Sequence, residues 1–323
     1  MRKDSVMNRK INRYVNYLTE HDPSAFCDYI LCKEVIGLDE KTIKDSYDWA
    51  VQFGVYNELK SEQFEDGSWG GFGSAVTELS KKQKYKTTGS AIHRMVDLAL
   101  DISDPMVLKM VEIMYKYLSG EVKIPDSYGK NNMVYPFLIR RDILRSISYF
   151  IPDDENVTKL RNDTAENLRQ SYAGGDFNRD IWNRLNINET IGSFSYNIVY
   201  MLWYGNCIDD DLQEKLLRHE WDSVHFGDVT PLRLMTPDEP MFHFWLWIFD
   251  KLQKFSLFPQ FMADKVEPHL FEICDRLIDE KDNITIYPNK YGHIGRYSES
   301  WKLPQFKKRD LLLRLIRILN KCI

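Results

Sequence analysis

The chain has 323 residues, of which 43% are hydrophobic and 13% aromatic, so it has enough apolar material for a sizeable core. Its formal net charge is −5. Proteins that bind nucleic acid usually present a basic patch or stripe that neutralises phosphates. The charge therefore excludes nucleic acid from the expected partners, and the composition indicates a globular protein.

The N-terminus, MRKDSVMNRKINRYVNYL, begins with basic residues but has neither an uninterrupted apolar region nor a small-residue cleavage site. No run of about 18 apolar residues, the length that crosses a membrane, occurs in the chain. The five cysteines, at positions 27, 32, 207, 274 and 322, are spaced unlike a disulfide framework or a zinc site. We therefore expect a cytoplasmic protein without a transmembrane segment, whose thiols are reduced and mostly buried.

Apolar residues recur every three or four positions through most of the chain, which predicts an all-α protein. Asp104 is a candidate N-cap before Pro105, and Gly120 is expected to end the helix that they begin. No linker or shift in composition divides the chain, so we predict one domain, 1–323. In chain order, helices are predicted over 91–100, 105–118, 136–150, 154–171, 193–204, 209–220, 238–254, 262–279 and 306–321.

The most informative stretch is 59–73, LKSEQFEDGSWGGFG, which combines a Leu-x3-Gln spacing with an Asp-Gly-Ser-Trp turn. Gln63 is expected to close a helix, and Gly67 to supply the permissive backbone of a tight turn. Trp69 should then pack its large ring back onto the end of that helix. The pattern predicts a compact structural device between two helices.

This pattern resembles one QW repeat of the squalene-hopene cyclase and prenyltransferase superfamily, whose members fold as (α/α)6 toroids. The following Gly70, Gly71 and Phe72 are similar to the Gly-Gly-Phe segment of the prenyltransferase branch. The sequence GRYSESW, at 295–301, also resembles the tail of small bacterial relatives of the cyclases. The resemblance implies a toroid with a central aromatic cavity. It also gives Gln63 and Trp69 a structural role, because the Gln and Trp of a QW repeat hold helices together in that family.

By resemblance, the expected activity is carbocation chemistry on an isoprenoid. Class II cyclases of the family use an Asp-x-Asp-Asp acid, in which neighbouring charges keep one carboxyl protonated. Ile208 stands where the first Asp of that motif would precede Asp210 and Asp211, which counts against class II cyclisation. Asp210, Asp211 and Glu214 do form an Asp-Asp-x-x-Glu cluster, which could hold Mg²⁺ on a diphosphate. The same acids could simply cap the following helix.

Zinc is not expected from the resemblance. Zinc-dependent protein prenyltransferases use an Asp-x-Cys portion together with a His. Here Cys207 and Asp209 stand in the reverse order. No metal is therefore assigned, and Mg²⁺ is kept only as one interpretation of the acidic cluster.

Several aromatic residues could line a cavity for an apolar ligand, because ring faces attract cationic intermediates. The same rings could instead fill the core, and the sequence leaves both alternatives open. The segment MFHFWLWIF, at 241–249, is the densest group and places three rings, at 242, 245 and 249, on one helical stripe. The candidates for substrate contact are Phe72, Trp182, Trp203, Trp245 and Trp301.

Two further classes of function remain open. The loop YAGGDFNRDIW, at 172–182, places Asp176 and Asp180 among aromatic residues, a mixture that suits carbohydrate recognition. Paired carboxylates there, or Glu220 with Asp222, could act as acid and base in a carbohydrate-active (α/α) barrel. The third class is a non-catalytic binding scaffold, which would present an exposed apolar patch and no perturbed carboxylates.

The terminal segment, KKRDLLLRLIRILNKCI, carries charged residues on one side of a helix and leucine and isoleucine on the other. A basic amphipathic helix can lie on a membrane surface, so peripheral membrane contact is one expectation. The alternative is the last helix of a ring that closes against the first helix. The charged residues of this helix are Asp310, Arg314, Arg317 and Lys321.

Overall fold

A computed structural model describes residues 2–21, 24–73, 76–125, 135–185, 207–222, 242, 246, 249, 252, 254–279 and 296–322. Within these ranges the elements are all helical and no strand occurs, which confirms the predicted all-α class. No helix in the described part of the chain is both long and apolar enough to span a bilayer. The helices are α1 (Arg2–Glu20), α2 (Ala25–Ile30), a π-helix (Leu31–Ile36), α3 (Glu40–Ala50), α4 (Gly54–Ser61), α5 (Thr88–Asp97), α6 (Pro105–Ser119), α7 (Tyr135–Ser148), α8 (Glu155–Ser171), α9 (Arg179–Leu185), α10 (Asp210–Asp222), α11 (Phe258–Lys265), α12 (Glu267–Asp279) and α13 (Pro304–Asn320).

Helix α6 begins and ends where the sequence predicts. The Asp104 side chain accepts hydrogen bonds from the backbone N–H of Met106 at 2.7 Å and of Val107 at 3.3 Å. Pro105 occupies the first turn, where its missing N–H leaves no bond unmade. Gly120 ends the helix with φ of +77°, a conformation that glycine adopts without steric cost.

The single helix predicted over 262–279 is wrong, because the structure has two helices that meet at Val266. Pro268 explains the break. Proline has no backbone N–H, and its ring collides with the carbonyl four residues earlier in a continuous helix, here that of Asp264. The predicted helix over 193–204 lies outside the described residues, as does most of that over 238–254, although positions 242, 246, 249 and 252 are helical and buried.

The contacts within the chain group into two compact units. One unit comprises Met1–Glu58 with Trp221–Ile323, and in it α13 packs against α1, α12 and the π-helix. The other comprises Leu59–Glu220, where α6 packs on α7, α7 on α8 and α8 on α9. The single domain over 1–323 and the cytoplasmic location stay predictions.

Helix α13 is buried on all sides from Asp310 to Leu319, including Arg314 and Arg317. The amphipathic pattern therefore does not create a charged face towards solvent over this stretch, and this part of the helix does not lie on a membrane surface. The contact of α13 with α1 agrees with the alternative in which the last helix packs against the first.

The buried charges of α13 belong to a polar network inside the first unit. Asp310 is fully buried and accepts hydrogen bonds from the backbone N–H of Tyr297 at 2.8 Å and from the Ser298 hydroxyl at 2.9 Å. The Trp301 indole N–H donates to the same carboxylate at 2.5 Å. Arg317 donates to the Tyr297 hydroxyl at 2.7 Å and forms a salt bridge of 2.7 Å with Glu34 in the π-helix. Donors thus surround each acid of the network.

All five cysteines are free thiols, and four of them are buried, as the sequence predicts. Cys27 lies inside the polar network, where its Sγ donates to the Asp310 carboxylate at 3.4 Å. Burial, with a smaller contribution from the Asp310 charge, raises the pKa of the Cys27 thiol well above its usual range. Cys27 is therefore an uncharged core residue at neutral pH.

Candidate functional site

The stretch 59–72 forms a compact structural device in the second unit, called here the 59–72 clamp. Trp69 has no exposed surface, and its indole N–H donates to the carbonyl of Leu59 at 3.0 Å. Leu59 lies in the last turn of α4, where carbonyls have no partner within the helix. The buried ring therefore caps the end of α4 with its single polar group satisfied.

Gln63 connects the same turn to the next part of the unit. Its side-chain amide donates to the carbonyl of Gly67 at 3.0 Å and to the carbonyl of Met106 at 3.0 Å. Met106 lies in the first turn of α6, so one amide joins the turn after α4 to the start of α6. Both donors of the amide group are used, and the contact lies within the second unit.

The turn in the clamp needs glycine at position 67. The φ angle of Gly67 is +96°, which side chains other than glycine rarely adopt. A Cβ placed there would lie 2.3 Å from the backbone carbonyl oxygen of Lys109 in α6. The Asp66 side chain accepts the N–H of Ser68 at 2.8 Å and completes the turn. The close approach to α6 thus depends on a residue without a side chain.

The acidic cluster at 210–214 begins in the first turn of α10, with Asp210 and Asp211, and is exposed to solvent. Asp211 forms an ion pair of 2.7 Å with Lys215, and Glu214 one of 2.6 Å with Arg218. Their side chains are 77% and 55% exposed. Asp210 is exposed in the same turn. Nowhere in the described ranges do three His, Cys, Asp or Glu side chains converge in a way that could hold a metal ion by themselves.

The N-terminus of α10 is capped by Asp209, and not by the acids at 210–214. Its carboxylate accepts the backbone N–H of Leu212 at 3.0 Å. That hydrogen bond, followed by the nearby charges of Arg169 and Lys215, lowers the pKa of Asp209. Asp209 directly precedes the first helical residue, Asp210, and an Asp at that position is a common N-cap signal that the sequence contains.

Asp176, in the loop before α9, and Asp180, in the first turn of α9, are both exposed. Trp182 is only 2% exposed, so it fills the core of the second unit. Phe177 lies between its ring and that of Tyr172, with centroid distances of 6.2 Å and 5.4 Å. The aromatic side chains of residues 172–182 therefore pack on one another, while the two acidic residues are exposed to solvent.

The remaining aromatic candidates differ in burial. Phe72 is 2% exposed and belongs to the core beside the clamp. Trp301 is half-buried in the first unit, with its indole N–H held by Asp310. Trp203 and Trp245 lie outside the described residues. Of the described candidates, only Trp301 leaves part of its ring accessible.

A groove of about 480 Å³ runs along α1 beside α12, in the first unit. Five of its seven lining residues carry charged or amide side chains, and Arg13 among them binds Asp275 and Asp279 at 3.2 Å each. No sequence pattern indicated this groove. Its lining residues are Arg9, Asn12, Arg13, Asn16, Tyr17, Glu20 and Ile278.

Comparison of the chain with protein-family models, with curated proteins and with solved structures found no significant match in any of the three. The function must therefore be inferred from the residues of the chain itself.

Replacing Trp69 by alanine should lower the free energy of unfolding by about 3–5 kcal/mol, because it empties a fully buried site. Urea unfolding followed by circular dichroism measures the change. Trp49→Ala is the matched control, since Trp49 is 55% exposed and its loss should cost less than about 1 kcal/mol. Equal losses in the two variants would contradict the role of Trp69 in the clamp.

Three glycine variants separate backbone strain from collision. Gly174→Ala meets open space and should change the free energy of unfolding by less than about 0.5 kcal/mol. Gly37→Ala also meets open space but has φ of +68°, so it should cost about 1–2 kcal/mol of strain. Gly67→Ala should cost clearly more, because it adds the collision with Lys109. A Gly67 variant no worse than the Gly37 variant would show that the clamp tolerates a side chain there.

Asp209→Ala should lower the free energy of unfolding by about 1 kcal/mol, whereas Asp209→Asn should retain most of the cap. Asp211→Ala should change it by less than about 0.5 kcal/mol, because that ion pair is exposed. Folding lowers the pKa of Asp209, so the ionised carboxylate stabilises the folded state. This contribution to the free energy of unfolding is fully present at pH values above the ordinary pKa of 3.8. It is lost as the pH falls through the lowered pKa. Urea unfolding between neutral and acid pH checks the ranking of the three variants and the pH dependence of stability. The Asp209→Asn variant should lack this pH dependence.

Proposed function

We propose that the chain binds an isoprenoid or a similar apolar ligand in a terpenoid cyclase-like (α/α)6 toroid, in which the 59–72 clamp is one QW-type repeat. The observation that carries the proposal is the pair of contacts in the clamp. The Trp69 indole N–H meets the Leu59 carbonyl, and the Gln63 amide meets the Met106 carbonyl. The resemblance implies that Gln63 and Trp69 hold helices together, and these contacts fit that role.

The composition supports an apolar ligand. Aromatic residues make up 13% of the chain, and aromatic faces stabilise cationic groups of the kind that form on isoprenoids. Phe72 and Trp182 fill the core, so they do not take part in the proposed binding. Trp301 is the described candidate that could touch a ligand, because its ring is half-buried and its indole N–H is fixed by Asp310.

Binding is proposed ahead of turnover, because two of the carboxylates predicted for catalysis have other partners. Asp211 and Glu214 are exposed and paired with Lys215 and Arg218 of their own helix. Ile208 removes the acid motif of class II cyclases. The catalytic roles of Asp210, Asp211, Glu214, Asp176 and Asp180 stay predictions, and no reaction step is assigned to them.

The test is titration of the purified protein with farnesyl diphosphate, geranylgeranyl diphosphate and squalene, each with and without Mg²⁺. Binding should raise Tm, since a ligand at 100 times its Kd adds about 2.7 kcal/mol to the stability of the folded state. Gas chromatography with mass spectrometry of the extracts, and an assay of released diphosphate, detect turnover in the same samples. We expect a saturable rise in Tm for at least one isoprenoid.

Trp301→Ala and Trp49→Ala form a matched pair for this experiment. The first should weaken binding, and the second should leave it unchanged, because Trp49 lies on the exposed side of α3. Cyclic products or Mg²⁺-dependent diphosphate release that Asp210→Asn and Asp211→Asn abolish would make the acidic cluster catalytic. No binding and no turnover with any of the three would overturn the proposal, and sugar release from a glycan, lost in Asp180→Asn, would favour the carbohydrate alternative.

A further inference from the structure

The stretch 302–309, KLPQFKKR, differs in charge from the rest of the chain and is called here the 302–309 segment. Four of its eight residues are cations and none is acidic, in a chain whose formal net charge is −5. The next residue, Asp310, is acidic, but its carboxylate is fully buried and surrounded by donors from Tyr297, Ser298 and Trp301. The segment therefore presents positive charge to solvent.

Its lysines are available for a partner. Lys302 is exposed, Lys307 and Lys308 are partly exposed, and none of the three forms an ion pair within the described part of the chain. The nearest acid before the segment, Glu299, is directed elsewhere. A Cβ added to Gly54 would lie 2.7 Å from the Glu299 carboxylate, so this acid lies against the start of α4.

The segment also exposes apolar surface among its cations. Leu303 is 49% exposed, and Phe306 is partly exposed beside the guanidinium of Arg309, which lies 5.6 Å from the ring centroid. The remainder of α13, from Asp310 to Leu319, is buried. The 302–309 segment thus places leucine, phenylalanine and basic side chains at the surface, and the buried part of α13 anchors it to the first unit.

Exposed apolar side chains between lysines and arginines match the surface of an anionic bilayer. Basic groups are attracted to acidic headgroups, and leucine and aromatic side chains enter the boundary between headgroups and acyl chains. We propose that the 302–309 segment docks the protein on membranes that contain anionic lipids. This surface is independent of the ligand proposed above, and it differs from the buried stretch of α13 that the amphipathic pattern suggested.

The test is co-sedimentation of the full-length protein with sucrose-loaded vesicles of phosphatidylcholine alone, or with about 30% phosphatidylserine as the anionic lipid. Binding should require phosphatidylserine and weaken as salt is added, because salt screens surface charges. A lysine or arginine near an anionic surface contributes about fivefold to the partition coefficient. The triple variant Lys302→Gln, Lys307→Gln, Lys308→Gln should therefore bind about 100-fold more weakly.

The matched control replaces three exposed lysines elsewhere in the first unit, Lys41, Lys254 and Lys265, by glutamine. It changes the net charge equally and should bind the vesicles like the original chain. Leu303→Ser should lower partitioning roughly tenfold, as expected when about half of a leucine side chain no longer enters an apolar phase. Circular dichroism and Tm should show that all variants are folded.

Three results would overturn the proposal. They are equal binding to the two kinds of vesicle, no binding to either, and equal losses in the segment variant and its control. Poly-glutamate is included as a soluble polyanion. If it binds through the three lysines while the vesicles do not, the partner is an acidic protein surface and the lipid proposal fails. Isoprenoid binding by Tm is measured on the same triple variant, so that failure of the docking surface and failure of the proposed function are distinguished.

Discussion

The first unit depends on one buried carboxylate, that of Asp310. An unpaired charge at a fully buried position would cost several kcal/mol, so the surrounding chain must supply donors. Burial raises the pKa of Asp310, while hydrogen bonds from Trp301 and Ser298 and the charge of Arg314 oppose that rise. Because the donors come from residues 297–301 and from Cys27 in α2, the carboxylate fixes one loop and two helices together. The half-buried ring of Trp301 is held in place by this network.

The same network explains why α13 is buried although its sequence is amphipathic. Arg314 lies 4.1 Å from the centroid of the Tyr297 ring, and Arg317 has Glu34 and the Tyr297 hydroxyl as partners. Glu34 lies in the π-helix, and the Asn320 side chain donates to its backbone carbonyl at 3.2 Å. Arginine can be buried in this way because its planar group binds a carboxylate and stacks on a ring at once. Lys302, Lys307 and Lys308, in the 302–309 segment at the start of the helix, have no such carboxylate partner within the described part of the chain.

The sequence predicts local features well and long-range ones poorly. The all-α class, both ends of α6 and the burial of most cysteines follow from periodicity, from Asp104 with Pro105, and from composition. Gln63, Gly67 and Trp69 could be selected because a tight turn and its returning indole lie within a few residues. The partner of Gln63 at Met106 and the contact of Cys27 with Asp310 could not be selected, since these contacts join residues 43 and 283 positions apart. Pro268 marks a helix break that periodicity alone misses.

Burial also separates stability from ligand binding among the aromatic residues. Phe72 and Trp182 are each 2% exposed. Their rings contact neighbouring side chains on nearly all of their surface, so no surface remains for a ligand. Trp69 is entirely buried in the 59–72 clamp, so it acts on the stability of the second unit and not on recognition. Recognition requires rings that are oriented by a polar group but remain partly accessible. Trp301 meets both conditions, because Asp310 holds its indole N–H while part of the ring stays exposed.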